Sequence, residues 1–320
     1  HLRITNIRKN RKNPGFAAQH LTGVQALTAL HHVTTQGAGI GMTELDFDTS
    51  ASPPLGVPVT WSCAVNTAGS VCLVLQSLIP SLMHTPGTHT LTVTGGTHVS
   101  WAPIPEFYTN VLAPTLQMMG IGLGLSVRRF GFFPKGGGEV VCEVTVPPVL
   151  KPIVLTERGE PVRVEVVIGG SDNAQTFQQE KQRAQKALRR LVRTSSGDVP
   201  PITFTECTPR WGRTRWMQVV VVTEHARISS DGVQQKHEDA AALTERVLER
   251  LERELAHGGC CDEFLQDQLL VFMAIAPGPS VLSCGEISLH TKTVIDNVTA
   301  LIGRHFTIQK EQNHFLIAIQ

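Results

Sequence analysis

The spacing of apolar and polar residues along the chain predicts a mixture of helices and strands. Apolar residues recur every three to four positions in several segments, which is typical of helices with one buried face. These predicted helices lie at 19–36, 70–83, 107–119, 174–192, 238–256 and 264–276. Alternation with a period of two predicts strands at 2–7, 44–47, 89–94, 125–130, 139–146, 162–168, 202–207 and 217–223.

The pattern also predicts how these elements are grouped. The composition changes after residues 157–159, where a block with strongly charged helices and few candidate site groups begins. We therefore predict an α/β protein of the α+β type, in which a small α/β domain at 161–257 is inserted into a larger domain formed by 1–160 and 258–320. The apolar helices at 70–83 and 264–276 each carry an amide side chain, Gln76 and Gln268, which suggests internal structural repetition.

Composition and charge exclude several classes of protein. Lys and Arg number 28 and Asp and Glu 27, so no global field favours a polyanionic partner, and any contact with nucleic acid requires a local basic patch. No apolar run approaches the roughly 20 residues of a membrane span, so we expect no membrane insertion. The seven cysteines include no C-x-x-C pair. This favours a reduced intracellular protein, in the nucleus, the cytoplasm or both, over a zinc or disulfide protein.

Candidate chemistry is concentrated in residues 264–293. Asp267 and Gln268 lie on the first turns of an apolar helix, and His290 follows between a strand-like ISL and a helix-like segment. Polar groups at the ends of buried elements are frequent in functional sites, although a single histidine alone more often has a structural role than a catalytic one. A basic loop with Arg8 and Arg11 is suited either to holding phosphates or to simple solvation. The segment GFFPKGGG at 131–138 matches neither a P-loop nor a dinucleotide motif, and it predicts a hairpin turn.

Seven stretches together resemble one family. They are KNRKNPGFAAQHL, NTAGSVCLVLQSLIPSL, GGTHVSWAPIPEF, RRFGFFPKGGGEV, LTERG, FLQDQLLVFMAIA and LHTKT. In this order and at this spacing they resemble the RNA 3′-terminal phosphate cyclases, over nearly all of the chain outside the predicted insert. The resemblance implies a large domain of three related α/β units that is interrupted by a smaller one.

The resemblance also implies a reaction and a set of site residues. These enzymes use ATP, with Mg²⁺ or Mn²⁺, to convert an RNA 3′-phosphate into a 2′,3′-cyclic phosphate through a histidine–AMP intermediate. His290 matches the nucleophile of the family. The positions near the adenylate are Gln76, Pro103, Phe107, Phe264, Asp267 and Gln268, and those on the phosphate and RNA side are Arg8, Arg11, Gln19 and His20. Phe264 stands where some members have Tyr, so stacking on adenine is kept and a hydroxyl is lost.

One feature of the family has no counterpart in this sequence. Members begin with a strand and a Gly-rich E-G-G-G-Q-x-x-R segment, and nothing before His1 supplies it. Either the protein lacks the segment, and with it a strand and a site carboxylate, or the natural chain starts earlier. The alternative function is that of a cyclase-like branch without the nucleophile, which acts in ribosome assembly; His290 with Asp267 and Gln268 favours the enzyme. The sequence leaves the oligomeric state open.

Overall fold

A computed structural model describes residues 1–209 and 214–320 and divides the chain into two compact units. Unit 1 comprises His1–Pro105 and Gly122–Pro148, and unit 2 comprises Glu106–Ile121 and Val149–Gln320. In the described residues, no helix has the length and apolar content that crossing a membrane requires.

Unit 1 contains two sheets and two helices. The strands β1–β7 span Leu2–Ile4, Thr34–Gln36, Leu45–Asp48, Thr60–Ala64, Gly87–Gly95, Gly122–Arg129 and Gly138–Val146, and the helices α1 and α2 span Ala18–His31 and Val71–Ser81. One sheet is antiparallel, with the order β1-β3-β2, and the other has the order β4-β5-β7-β6. The helix α2 is capped by Ser70, whose hydroxyl accepts a hydrogen bond from the N–H of Leu73 at 3.3 Å.

Unit 2 contains two four-stranded sheets and the remaining helices. Its strands β8–β15 span Val154–Leu155, Pro161–Gly169, Ile202–Cys207, Trp216–Thr223, Arg227–Val233, Ser280–Cys284, Phe306–Lys310 and Phe315–Ile319. Its helical segments are α3 (Pro105–Phe107, whose first residue falls in unit 1), a π-helical stretch (Tyr108–Leu112), α4 (Ala113–Met118), α5 (Ala174–Leu191), α6 (Ala240–Ala256), α7 (Leu265–Ile275) and α8 (Leu289–Ile302). The sheet orders are β10-β9-β11-β12 and β14-β15-β13-β8.

Two of the sheets have the same connectivity. In each, the first strand is parallel to the second, and the second is antiparallel to the fourth, which also pairs with the third. This describes β4, β5, β6 and β7 in one sheet and β8, β13, β14 and β15 in the other. The helix α2 separates β4 from β5, whereas β9–β12 and the helices α5, α6 and α7 lie between β8 and β13. The α/β class predicted from the sequence is confirmed, whereas a repetition of three such units stays a prediction, as do the insert boundaries at 161 and 257.

The sheet β9–β12 has a core of its own. Val164, Val166 and Ile168 of β9 pack with valines of β11 and with the apolar faces of α5 and α6, which include Leu188 and Leu251. Apolar side chains at helical spacing predicted both helices, because each buries one face and leaves a charged face in water. This part of the fold therefore follows directly from the sequence pattern.

Two local predictions are wrong, and several strands were not predicted. The helix predicted to Gln36 ends at His31, because His32 adopts a left-handed conformation and β2 begins at Thr34. The ISL before His290 is not a strand, since β13 ends at Cys284. The prediction also missed β12, Arg227–Val233, whose polar sequence RISSDGV does not alternate although most of its residues are buried.

Candidate functional site

The helix α7 is held at its first residue by Asp262. One carboxylate oxygen of Asp262 accepts hydrogen bonds from the backbone N–H groups of Phe264 and Leu265, at 3.1 and 2.9 Å. The other oxygen accepts from the N–H and the hydroxyl of Ser229 on β12, at 2.9 and 2.7 Å. Asp262 has no solvent exposure, and burial raises its pKa to about 6. A single buried side chain therefore joins the start of α7 to the neighbouring sheet.

The first turn of α7 carries the predicted acid and amide. Gln268 is buried and Asp267 is half-buried. Burial raises the pKa of Asp267 to about 6, and the nearby charge of His290 counteracts part of this rise. The charge of His290 therefore acts on Asp267 although the two are 23 positions apart in the sequence, and the helices α7 and α8 that carry them pack against each other. The structure thus places the predicted acid and amide on one turn of α7, and α7 packs against the helix that carries the predicted histidine.

His290 is the second residue of α8 and is exposed to solvent. The helix is capped by Ser288, whose hydroxyl accepts the N–H of Thr291 at 3.0 Å. The N-terminus of a helix carries unpaired N–H groups and a partial positive charge, which favour a phosphate group. An exposed imidazole at this position is therefore accessible to a phosphorylated ligand.

The two helix starts are also hydrogen-bonded to each other. The hydroxyl of Thr291 donates to Oε1 of Gln266 at 2.9 Å, and the amide of Gln266 donates to the carbonyl oxygen of Glu286 at 3.3 Å. The sequence predicted neither residue. No sequence pattern links side chains 25 positions apart, whereas Asp262, three residues before the apolar run of α7, is a recognisable capping residue.

Phe264 and Phe107 have different environments in unit 2. Phe264 is half-buried, and the guanidinium of Arg250 lies 5.2 Å from the centre of its ring. Phe107 has no exposed surface, and its ring contacts that of Tyr108 edge-on at 6.1 Å. In this structure Phe107 therefore presents no ring surface to a nucleotide and belongs to the core. The stacking role of Phe264 stays a prediction.

Two further predicted nucleotide contacts lie in unit 1. Gln76 on α2 is half-buried, although the helix around it is almost continuously apolar. The reason is that Gln76 and the exposed Ser77 lie on the side of the helix away from its buried leucines and valines. Pro103 is half-buried in the loop after β5. Nucleotide binding by either residue stays a prediction.

The four predicted phosphate and RNA residues lie at the start of unit 1. Arg8 donates to the carbonyl oxygen of Gly15 at 2.7 Å, and Arg11 is exposed. Partial burial lowers the pKa of His20, and the charge of Arg8 lowers it further, so these two side chains are neighbours. Oε1 of Gln19 accepts the N–H of Ser70 at 3.0 Å, at the N-cap of α2. Gln19 thus has a structural partner, while Arg8 and Arg11 provide positive charge at this surface.

Two other features of the structure bear on ligand binding. Among the described residues, no three His, Cys, Asp or Glu side chains form a group that would hold a metal ion. In unit 2 a cavity of about 370 Å³ is lined by residues of α4, β9 and β12, including Arg163 and Arg227, and by none of the predicted site residues. The predicted site in unit 2 is therefore the exposed surface at the starts of α7 and α8.

Comparisons with known proteins agree on one family. The family model described as RNA 3′-terminal phosphate cyclase matches residues 1–308. The chain is 34% identical over 308 residues to the "RNA 3′-terminal phosphate cyclase" of Hyperthermus butylicus, which covers 94% of this chain and 84% of the relative. It is 32% identical over 310 residues to the protein of the same name from Thermococcus onnurineus, covering 97% and 88% of the two chains. It is 30% identical to the "Probable RNA 3′-terminal phosphate cyclase" of Dictyostelium discoideum, covering 97% and 72%.

Proposed function

The chain belongs to the RNA 3′-terminal phosphate cyclase family, and from this we propose that it converts RNA 3′-phosphate ends to 2′,3′-cyclic phosphates with ATP. The names of its relatives support the cyclase activity. The observation that supports the proposed chemistry is the exposed His290 at the N-terminus of α8, beside the carboxyl group of Asp267. In this proposal the enzyme is a ligase that forms AMP and pyrophosphate.

The first step forms a covalent intermediate on His290. A neutral ring nitrogen attacks the α-phosphorus of ATP, the bond to the bridging oxygen breaks, and pyrophosphate leaves with the electron pair. The imidazole gains positive charge in this step and then passes its remaining ring proton to solvent as histidine–AMP forms. A carboxylate at Asp267 stabilises the transient positive charge, and the N–H groups at the start of α8 stabilise negative charge on the phosphate.

The second and third steps transfer and then release AMP. A phosphate oxygen of the RNA 3′ end attacks the phosphorus of histidine–AMP, the P–N bond breaks, and a P–O–P linkage joins RNA to AMP. The neighbouring 2′-hydroxyl then attacks the 3′-phosphorus and loses its proton, and AMP leaves with the bridging oxygen. Each turnover consumes one ATP and yields one cyclic phosphate, one AMP and one pyrophosphate.

A divalent cation would accompany the nucleotide in this proposal. The described residues include no cluster that would hold Mg²⁺ or Mn²⁺ on its own. Magnesium in nucleotide sites is bound mainly by phosphate oxygens, with one or two carboxylates. We therefore assign the cation to the triphosphate. There it would reduce the repulsion between the negative phosphate oxygens and the electron pair of the attacking ring nitrogen.

The test is adenylation of the protein itself. Wild type, His290→Ala and His305→Ala are incubated with α-labelled ATP and Mg²⁺ or Mn²⁺, without RNA; His305 is an exposed histidine of the same unit and serves as the matched control. We expect an acid-labile, alkali-stable adduct in wild type and His305→Ala, and none in His290→Ala. An adduct in His290→Ala would refute the site. If every variant lacks the adduct, including chains extended at the N-terminus, the non-catalytic role in ribosome assembly is favoured.

A further inference from the structure

Unit 1 exposes two large aromatic side chains to solvent. Trp101 is 90% exposed and Phe133 is 79% exposed. Trp101 also has a φ of +67°, a strained conformation that is uncommon for a bulky residue. Aromatic rings contribute most to stability when they are buried, so neither exposed ring is explained by the packing of the core. A strained residue that holds its ring in water indicates a binding role.

The two loops that carry these rings are joined by a buried contact. The N–H of Thr97 donates to the carbonyl oxygen of Gly131 at 2.8 Å, and the N–H of Gly131 donates to the hydroxyl of Thr97 at 3.0 Å. The ring of His98 lies 6.1 Å from that of Phe132. Thr97 and His98 have no solvent exposure. The two loops that carry the exposed rings are therefore held together by buried hydrogen bonds and do not stand independently.

Glycines hold the second loop against the body of unit 1. Gly136 has a φ of +66°, and a Cβ at this position would lie 2.5 Å from the carbonyl oxygen of Thr67. Its N–H donates to the carbonyl oxygen of Phe132 at 2.7 Å. The backbone at this glycine thus approaches a neighbouring segment closely, while Phe133 on the same turn remains exposed. This explains why GFFPKGGG needs glycine here beyond the requirements of a hairpin.

The segment that carries Phe133 is rich in positive charge. Arg128 and Lys135 are exposed, and no carboxylate occurs between residues 128 and 138. Arg129 is partly neutralised, since its guanidinium lies 3.8 Å from Glu139 and also donates to the carbonyl oxygen of Gly137 at 2.5 Å. In a chain with a net charge of only +1, this is a local basic patch. Exposed rings combined with cations match the requirements of single-stranded nucleic acid.

We propose that Trp101, Phe133, Arg128 and Lys135 form a stacking surface for single-stranded RNA. Bases stack on the two rings, and the two cations neutralise the phosphates between them. The surface binds without sequence preference, because every base has a face that can stack, and it rejects duplex, in which the faces are covered. The choice of RNA rests on the proposed function. The inference adds a unit 1 surface for nucleotides other than the one that reacts.

The test is binding of RNA without ATP, so that catalysis is not required. The affinity of the full chain for a 5′-labelled single-stranded RNA with a 3′-hydroxyl is measured by fluorescence anisotropy. We expect Trp101→Ala and Phe133→Ala each to weaken binding about 5- to 150-fold, the range for one stacked base. Trp101→Phe should restore most of the affinity, whereas Trp101→Leu should not. Val57→Ala, which changes an exposed apolar residue of the same unit, should bind as wild type does.

Two further ligands separate stacking from charge. An abasic ribose-phosphate chain of the same length should bind wild type and Trp101→Ala equally, because it has no bases to stack. Lys135→Gln should lower the salt dependence of the affinity by about one phosphate contact, for both the RNA and the abasic chain. RNA affinity that is unchanged in both alanine variants would overturn the inference and would indicate a different partner for the rings. Adenylation of His290 in the same samples tests the proposed function independently, because that reaction needs no RNA.

Discussion

Replacing Asp231 with Asn should make the protein more stable at alkaline pH. Asp231 lies on β12 and is buried, and burial raises its pKa from 3.8 to about 7. This value includes the opposing effects of Arg250 and Arg246, which lower the pKa, and of the carboxylates of Asp262 and Glu106, which raise it. Because the folded state holds the proton more tightly than the unfolded state, the carboxyl group costs stability as the pH rises from about 4 to 7. Asn keeps the shape and removes this cost.

The size of the effect follows from the pKa difference. A rise of about three units, at about 1.4 kcal/mol per unit, corresponds to about 4 kcal/mol at pH 8.5. At pH 4 the folded carboxyl is already protonated and the unfolded one is about half ionised, so the difference falls below about 1 kcal/mol. The variant should therefore unfold at a higher urea concentration than wild type at pH 8.5, and at nearly the same concentration at pH 4.

The assay is urea unfolding of wild type, Asp231→Asn and Asp296→Asn at both pH values, followed by tryptophan fluorescence and circular dichroism. Asp296 is an exposed carboxyl group on α8, so its replacement controls for the loss of one charge. Equal stability of Asp231→Asn and wild type at pH 8.5 would refute the reasoning, as would a stabilisation that is as large at pH 4. A similar gain in Asp296→Asn would show that net charge, and not burial, is responsible.

Two more predictions concern the site. Asp262→Ala removes the acceptor for three backbone N–H groups, two of them buried. At about 1–3 kcal/mol for each unpaired buried donor, the variant should lose several kcal/mol of stability in urea unfolding, and Asp262→Asn should lose less. A change of less than about 1 kcal/mol would mean that water replaces the carboxylate. Asp267→Asn should slow adenylation of His290 relative to wild type above about pH 6 and leave it nearly equal at pH 5, because the wild-type carboxyl group ionises in this range. A ratio of the two rates that does not vary with pH would assign Asp267 a role other than its charge.

Local sequence pattern was sufficient for much of the fold. The helices α5 and α6 were predicted to within two residues at each end, because each buries one face, and their apolar residues must then recur at helical spacing. The turn at GFFPKGGG was also predicted correctly, since it joins the antiparallel strands β6 and β7. The motifs of the family, including LHTKT with His290, are properties of the sequence alone, and the family is confirmed.

Tertiary structure decided what the local pattern did not contain. The strand β12 has no alternation of apolar and polar residues, and its N–H at Ser229 is satisfied by Asp262, which lies 33 positions away. Phe107 was predicted at a ligand surface, and packing placed it in the core.

The same distinction holds for the candidate site. The sequence by itself determined which residue types are present, namely a histidine, an acid and an amide at the starts of two helices. Only the tertiary structure placed Asp267 beside His290 and joined their helices through Gln266 and Thr291. Periodicity reports which side of an element is buried, because burial of apolar surface repeats along the chain. A hydrogen bond between distant side chains occurs once and leaves no repeating pattern, so it becomes visible only when the chain is folded.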